Sequence, residues 1–353
     1  MKRAPTLNDV ARVARVSRSL ASLVFQDSPK VSPASRAAVL KAAEKLGYHP
    51  NESARRLKST TTKSIGVVLT DIHNPYYAQL FYGVDSAGTE SDYKLLIGNS
   101  GFQSDELNQD ARVMKNRQLE SIKNIRSQMI DGLICSSLRT TPDELRQASR
   151  NLPTVIIGHT PAPLIKEFDV VITDEAYAAN LVVGHLAQLG HTRIAHISGG
   201  SDTGPQNRSK AFIAEMRRKG LSSSAVVLEG SWTQEAGYTR TGELLAGKNP
   251  PTAIYAANDL IAMGVLARLQ DAGLRVPHDI SVIGYDDSEY ARLRFADLTS
   301  VKESLFEMGR LGFELVVTRL ENKRGTASPQ LLKMKPDLVV RSSTGPCKKV
   351  KNK

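Results

Sequence analysis

The sequence predicts an α/β protein: a small helix-turn-helix head, then a larger body of two doubly wound parallel-sheet subdomains. Three observations predict it. Three short helical stretches with Ser or Thr caps open the chain. Nine short apolar runs, most of them followed by amphipathic segments, fill the remainder. The positive charge is concentrated at one end, since residues 1–63 hold 13 Lys/Arg against 4 Asp/Glu, a net +9 of the whole chain's +11.

Composition narrows the class. At roughly 150 residues per domain, 353 residues suggest two or three domains. Only two cysteines are present, Cys135 and Cys347, with no CxxC spacing. This argues against a disulfide framework or a zinc finger and fits a reducing compartment. No apolar run approaches the roughly 18 residues of a membrane span. The basic N-terminus lacks an apolar segment behind it, unlike a secretory signal. The expectation is therefore a cytoplasmic protein with no membrane partner. A basic head on a near-neutral body is the footprint of a phosphate-binding module.

The head is justified helix by helix. Thr6 accepts the backbone N–H of Asp9 at a first helix start, and the Asp9 carboxylate sits in the positive first turn. Val10, Ala11 and Ala14 give its apolar stripe. Arg15-Val16 makes a short turn, and Ser17 caps a second helix with Ala21, Val24 and Phe25 inward. Ser32-Pro33 opens a third, since Pro fits the first helical position. It runs through Val39, Ala43 and Leu46 and stops at Gly47. Two short helices, a tight turn and a support helix make a helix-turn-helix, whose second helix presents its N-terminal end to the major groove. The segment after Pro50, with Asn51 as cap and Arg55, Arg56 and Lys58, is too short to be a stable helix alone. It is expected as a hinge helix ordered on a partner.

In the body, strands are predicted at 64–70, 94–98, 131–135, 154–158, 169–173, 193–198, 226–230, 252–256 and 279–284. Helices are predicted at 175–189, 207–219, 234–246 and 259–272. This alternation implies parallel sheets covered on both faces. Nine units are too many for one compact open sheet here, so two subdomains fit better. Segment 99–130 reads as an extended helix or an added loop.

The stretches TLNDVARVARVS and KVSPASRAAVLKAAEKLGYHPNESARRLKSTTTKSIGVVL resemble the head, hinge and first strand of the LacI/GalR family of bacterial transcription regulators. The motifs NPYYAQ, YAANDLIAMG and ISVIGYDD carry the resemblance through to about Arg341. It implies a lambda-repressor-like head at 1–49, a hinge helix at 50–61 and a periplasmic-binding-protein-like body at 62–341. Three crossovers near 162, 292 and 324 would divide that body. The N-subdomain would then hold about 62–162 and 293–324, and the C-subdomain about 163–292 and 325–341. Residues 342–353 are expected as a basic, disordered tail. The chain departs from the family at Arg15, where Gly is usual, at Leu20, where Thr is usual, and at Gln26, where Asn is usual.

The resemblance also implies site residues. Arg18, Ser19 and Leu23, outward on the second helix, would read base edges; Arg suits guanine and Leu a thymine methyl. Asn8, Ser17 and Ser22 would meet phosphates. Thr6, Tyr48, Asn51, Ala54, Arg55 and Lys58 complete the DNA-facing set. Leu57, apolar among bases, suits a minor-groove wedge. Effector-binding candidates are Tyr76, Tyr77, Asp174, Arg208, Trp232, Asn258 and Asp286, set beyond strand C-termini where ligands sit in such folds.

No GxSxG, GxxxxGK[ST] or HExxH motif is present, and Asp286-Asp287 are adjacent, so they point apart. The seven histidines are scattered, and a cleft His such as His73 or His159 reads as a hydrogen-bonding residue rather than a metal ligand. No enzyme, metal or cofactor is expected. The implied function is a repressor that binds a palindromic DNA operator as a homodimer under control of a small effector, with a sugar or polyol favoured. The alternative, a transporter's solute-binding protein, would share the body but needs a signal peptide and no basic head.

Overall fold

The computed structural model describes residues 5–48, 61–101, 111–200, 203–322 and 328–348. The chain divides into two compact units, Met1–Thr62 and Lys63–Lys353. Among the described residues no helix is long and apolar enough to cross a membrane.

The first unit contains α1 (Leu7–Ala14), α2 (Arg18–Phe25) and α3 (Pro33–Leu46). Each begins at the cap expected from its residue type. Thr6 and Asp9 form a reciprocal capping box, Ser17 accepts from Leu20 N, and Ser32 accepts from Ser35 N. Both Arg15 and Gly47 end a helix in the left-handed conformation, at φ 56° and 61°. Gly adopts that region freely and Arg does not, so Arg15 holds the turn at a steric cost that Gly47 does not bear. Val10, Ala21, Val24 and Val39 form the centre of a small core, with Leu7, Leu23, Phe25, Leu46 and Tyr48 packed at its margin. The expected hinge helix, with Asn51, Ala54, Arg55, Leu57 and Lys58, lies outside the described residues.

The body holds two six-stranded sheets. The first runs β11 (Leu331–Met334), β5 (Asp169–Thr173), β4 (Thr154–Ile157), β3 (Gly132–Ser136), β1 (Ser64–Leu69), β2 (Lys94–Asn99), all parallel. The second runs β12 (Asp337–Val339), β10 (Thr299–Lys302), β9 (Ser281–Tyr285), β8 (Ala253–Ala256), β6 (Ile194–Ser198), β7 (Ala225–Glu229), parallel except for β12. Central strands β1, β3, β4, β8 and β9 are buried at every residue, whereas edge strands β2, β7 and β11 are not. That contrast is why the central strands read as unbroken apolar runs.

Helices α4 (Pro75–Glu90), α5 (Ala111–Ser127), α6 (Pro142–Ala148) and α7 (Ala162–Ile165) follow the early strands. Then come α8 (Glu175–Gln188), α9 (Thr203–Arg218), α10 (Gln234–Ala246), α11 (Asp259–Asp271) and α12 (Leu305–Glu321). Of segment 99–130, the described part carries α5. Helices α4 and α12 cross where Gly83 meets the backbone of Phe306 and Gly309 meets that of Leu80, so that a Cβ at either glycine would strike main chain.

Several sequence expectations need correction. The crossovers do not lie near 162, 292 and 324. Strand β5, expected in the C-subdomain, pairs with β4 in the first sheet, and β10, expected in the N-subdomain, pairs with β9 in the second. The chain therefore changes sheet between β5 and β6, between β10 and α12, and between β11 and β12. A short apolar strand carries no sign of which sheet it joins, because the choice rests on partners distant in sequence. Strands β10, β11 and β12 were not expected: each has three or four residues, and the latter two are only partly buried. Residues 342–348 are not a disordered tail. Ser343 is buried, donates to Val282 O at 2.6 Å and accepts from Thr299 N at 2.8 Å. Cys347 N donates to Leu189 O at 2.8 Å, so this segment is bound to the second sheet.

Candidate nucleic-acid interface and ligand site

In the head, Asn8, Ser17, Arg18 and Ser19 are exposed around the start of α2 and on α1. Ser17 Oγ accepts from Leu20 N at 3.1 Å, which fixes where α2 begins. Arg18 is the first helical residue, so its guanidinium extends from the helix's N-terminal end. Leu20 and Leu23 are half-buried, with part of each against the core. Ser22 Oγ accepts from Gln26 Nε2 at 3.3 Å. The Thr6 hydroxyl donates to Asp9 Oδ2 at 2.6 Å, and Tyr48 packs on Phe25 with ring centroids 5.6 Å apart. Thr6 and Tyr48 thus serve the head's own structure.

The body's cavity is lined from loops that follow strand C-termini in both sheets. Thr70, Asp71, Asn74, Tyr76 and Tyr77 come after β1, Ser137–Arg139 after β3 and His159 after β4. From the other subdomain come Thr203–Pro205 and Arg208 after β6, Trp232 after β7 and Asp286 after β9. Five of the expected ligand residues, Tyr76, Tyr77, Arg208, Trp232 and Asp286, thus converge on one cavity. Asp174 and Asn258 do not line it. Asp174 caps α8 by accepting from Tyr177 N at 3.0 Å, and Asn258 caps α11 by accepting from Ile261 N at 2.8 Å. The buried Nδ2 of Asn258 has no partner.

The arginine is held in detail. Arg208 Nη2 donates to Glu175 Oε1 at 2.8 Å and Nε to Glu175 Oε2 at 3.1 Å. Its Nη1 donates to Ala257 O, and its Cζ lies 3.3 Å from the Tyr285 ring centroid. His159 Nε2 sits 3.4 Å from Glu175 Oε1, joining the first subdomain's loop to the second's. Burial pushes His159 down to about 4, so this imidazole is neutral near pH 7. Sequence reasoning missed Glu175, although it also follows a strand. The neighbouring Asp174 drew attention because it is the better cap.

The tip after β9 is over-determined. Asp286 and Asp287 both have positive φ, 100° and 48°. Asp286 N donates to Val301 O at 2.9 Å, and Asp287 N donates to Ser300 Oγ at 3.1 Å. Asp287 then turns away to Arg292 at 3.0 Å and Arg341 at 2.6 Å. Asp259 braces the turn, accepting from Ser288 N at 2.7 Å and from Ser300 Oγ at 2.7 Å. The two adjacent aspartates therefore diverge as expected, and Asp286 alone meets the cavity. Burial, then the carboxylates of Glu303 and Asp259, hold Asp286 well above the ordinary carboxylate range. Glu303, beyond β10, is pushed up to about 7 chiefly by burial, and its Oε2 has no partner. Among the described residues no group of three or more metal-ligating side chains occurs.

Comparison with known proteins agrees with this architecture. A profile described as "Bacterial regulatory proteins, lacI family" matches residues 6–51, and one described as "Periplasmic binding protein-like domain" matches residues 183–344. The ribose operon repressor of Escherichia coli is 33% identical, covering 96% of this chain and 99% of its own. The transcriptional repressor PurR of Vibrio vulnificus is 30% identical, covering 96% of this chain and 98% of its own. Among solved structures, a complex of the regulator CelR with cellobiose has TM-score 0.67 at 28% identity, covering 96% of this chain and 99% of that one. The lac repressor dimer bound to operator and an anti-inducer shares the fold, with TM-score 0.82 at 24% identity over 97% and 100% of the two chains. Its repressor relatives, matched from end to end, and its two profile matches place this chain in the lacI family of bacterial regulatory proteins.

Proposed function

We propose that the protein is a cytoplasmic, operator-binding transcriptional repressor, acting as a homodimer and controlled by a small polyhydroxylated effector held between the two body subdomains. One observation carries this reading. The chain joins a head whose second helix exposes Arg18 and Ser19 at its start to a body whose two sheets converge on a cavity of aromatic rings and a bare carboxylate. In the head, Arg18 reads a base edge and Ser19 assists it, while Asn8 and Ser17 approach phosphates. In the body, Trp232, Tyr76 and Tyr77 supply ring faces, and Asp286 accepts hydroxyls. The relatives named for ribose and cellobiose support a sugar over a purine; the PurR relative is the contrary indication. Effector binding shifts the body between conformers and thereby changes the affinity for DNA.

The test joins both ends of the molecule. Operator affinity should fall with salt at about −0.9 per neutralised phosphate in log–log form, so six contacts give a slope magnitude of about 5. Asp286→Ala should keep effector-free operator binding and lose the effector response. Losing two hydrogen bonds of about 0.5–1.5 kcal/mol each weakens effector affinity by about five- to a hundredfold. A variant that melts earlier yet binds effector normally per folded molecule would make Asp286 a loop brace. A chain lacking residues 1–60 that still bound the operator would overturn the assignment of the head.

A further inference from the structure

The charge balance around the cavity deepens the effector reading, on which it rests. Arg208 is the only Arg or Lys that is buried among the described residues. It does not reach the cavity as a free cation. Glu175 takes Nε and Nη2, Ala257 O takes Nη1, and Tyr285 covers one face. Against it stand two further acids. Asp286 is 7% exposed, lines the cavity and makes no side-chain hydrogen bond to the protein, and Glu303 keeps a buried oxygen without a partner. At the rim Asp71 and Arg139 add one charge of each sign. An entering anion would have to displace Glu175 from Arg208 while facing Asp286. A hydroxyl or an amine would find in Asp286 an acceptor already desolvated, so the cost of exposing it to the ligand is small.

We propose that Glu175 is a specificity-determining residue that makes this cleft exclude anions, so that the effector is an uncharged or amine-bearing polyhydroxylated molecule and not a phosphorylated or carboxylated one. The side chain acts by occupying the site's one buried cation. Without it, the guanidinium's fork would face a phosphate or carboxylate directly, the geometry Arg binds best.

Two measurements test this without an identified effector. Trp232 is the only tryptophan and lines the cavity, so its fluorescence, excited where tyrosine is silent, reports ions entering the cleft. In the unaltered protein, iodide should quench it no more than caesium does, each relative to free N-acetyltryptophanamide at matched ionic strength. Stronger relative quenching by iodide than by caesium would overturn the proposal. Followed by the same Trp232 fluorescence, which the basic head does not report, inorganic phosphate should not bind the cleft of the unaltered protein in the millimolar range, and Glu175→Gln should gain phosphate affinity at least about tenfold. Phosphate binding to the cleft of the unaltered protein, or a folded variant that gains none, would also overturn it. Should the variant not fold, the quenching result decides alone. Neither measurement involves DNA, so a charge-blind cleft would leave the repressor reading standing, and an effector that fails to alter operator binding would leave the charge selectivity standing.

Discussion

Head and body solve the problem of holding a functional side chain in opposite ways. In the head, position comes from local chemistry: Ser17 starts α2 and thereby places Arg18, its immediate neighbour. In the body, position comes from contacts across long sequence separations. Arg208 is fixed by Glu175, 33 residues earlier, and by Ala257, 49 residues later. The difference teaches where each part is vulnerable. The head loses a little with each cap, whereas the body has buried charges that fail together.

The sharpest test removes one such charge. Arg208→Ala strands the Glu175 carboxylate, whose side chain is only 11% exposed, and should cost about 3–5 kcal/mol of body stability by denaturant unfolding. A loss below about 1 kcal/mol would mean that water relieves the carboxylate and that the body's charges are less coupled than their geometry implies.

Acidity separates the regions next. Glu303 is pushed from 4.5 up to about 7, so its proton favours the folded body. That contribution is complete below pH 4.5 and is lost as pH rises through about 7. His196, stacked on Tyr255, and His159 are pushed from 6.5 down to about 4 by burial. Their contribution is present above 6.5 and is lost as pH falls through about 4. Because the two windows overlap with opposite sign, Glu303→Gln should make body stability rise more steeply with pH between 4.5 and 7 while leaving the histidine contribution itself unaltered. In the head no charged side chain is buried among the described residues, so its unfolding should follow pH less steeply. Parallel pH profiles for the two transitions in calorimetry would break the comparison.

Smaller effects belong to the head. Ser17→Ala should cost it about 1 kcal/mol by removing the α2 cap, and operator affinity should drop further because Arg18 loses its anchor. Arg15→Gly should do the reverse to stability, relieving about 1 kcal/mol of left-handed strain, while one charge fewer reduces the salt slope of DNA binding by about 0.9. Unchanged melting in Arg15→Gly would show that the turn tolerates a side chain at no cost.

Legibility follows the same division. Thr6, Ser17, Ser32 and Gly47 announced the ends of three helices because a cap acts on residues within one turn. All nine expected strands were found, since an apolar run bounded by turns is a local signal, and of the three strands missed two are half-exposed at sheet edges, where no unbroken apolar run marks them. Site residues fared unevenly. Tyr76, Tyr77, Arg208, Trp232 and Asp286 reach the cavity because loops beyond strand C-termini face it. Asp174 and Asn258 satisfy the same rule yet turn their oxygens to their own helices. Glu175 passed unnoticed because its importance lies in a partner 33 residues away.

The sequence by itself determined the head's helices, the strand–helix alternation, the family and the general location of a ligand site. Each is encoded in neighbouring residues or in motifs that survive as strings. Only the tertiary structure decided which sheet received β5, β10 and β11, that residues 342–348 bind the second sheet, and that Arg208 meets the cavity already neutralised. Those outcomes rest on pairings between distant segments. Sheet membership is settled by competition for buried backbone hydrogen bonds, and a buried charge takes whichever partner the fold brings within reach.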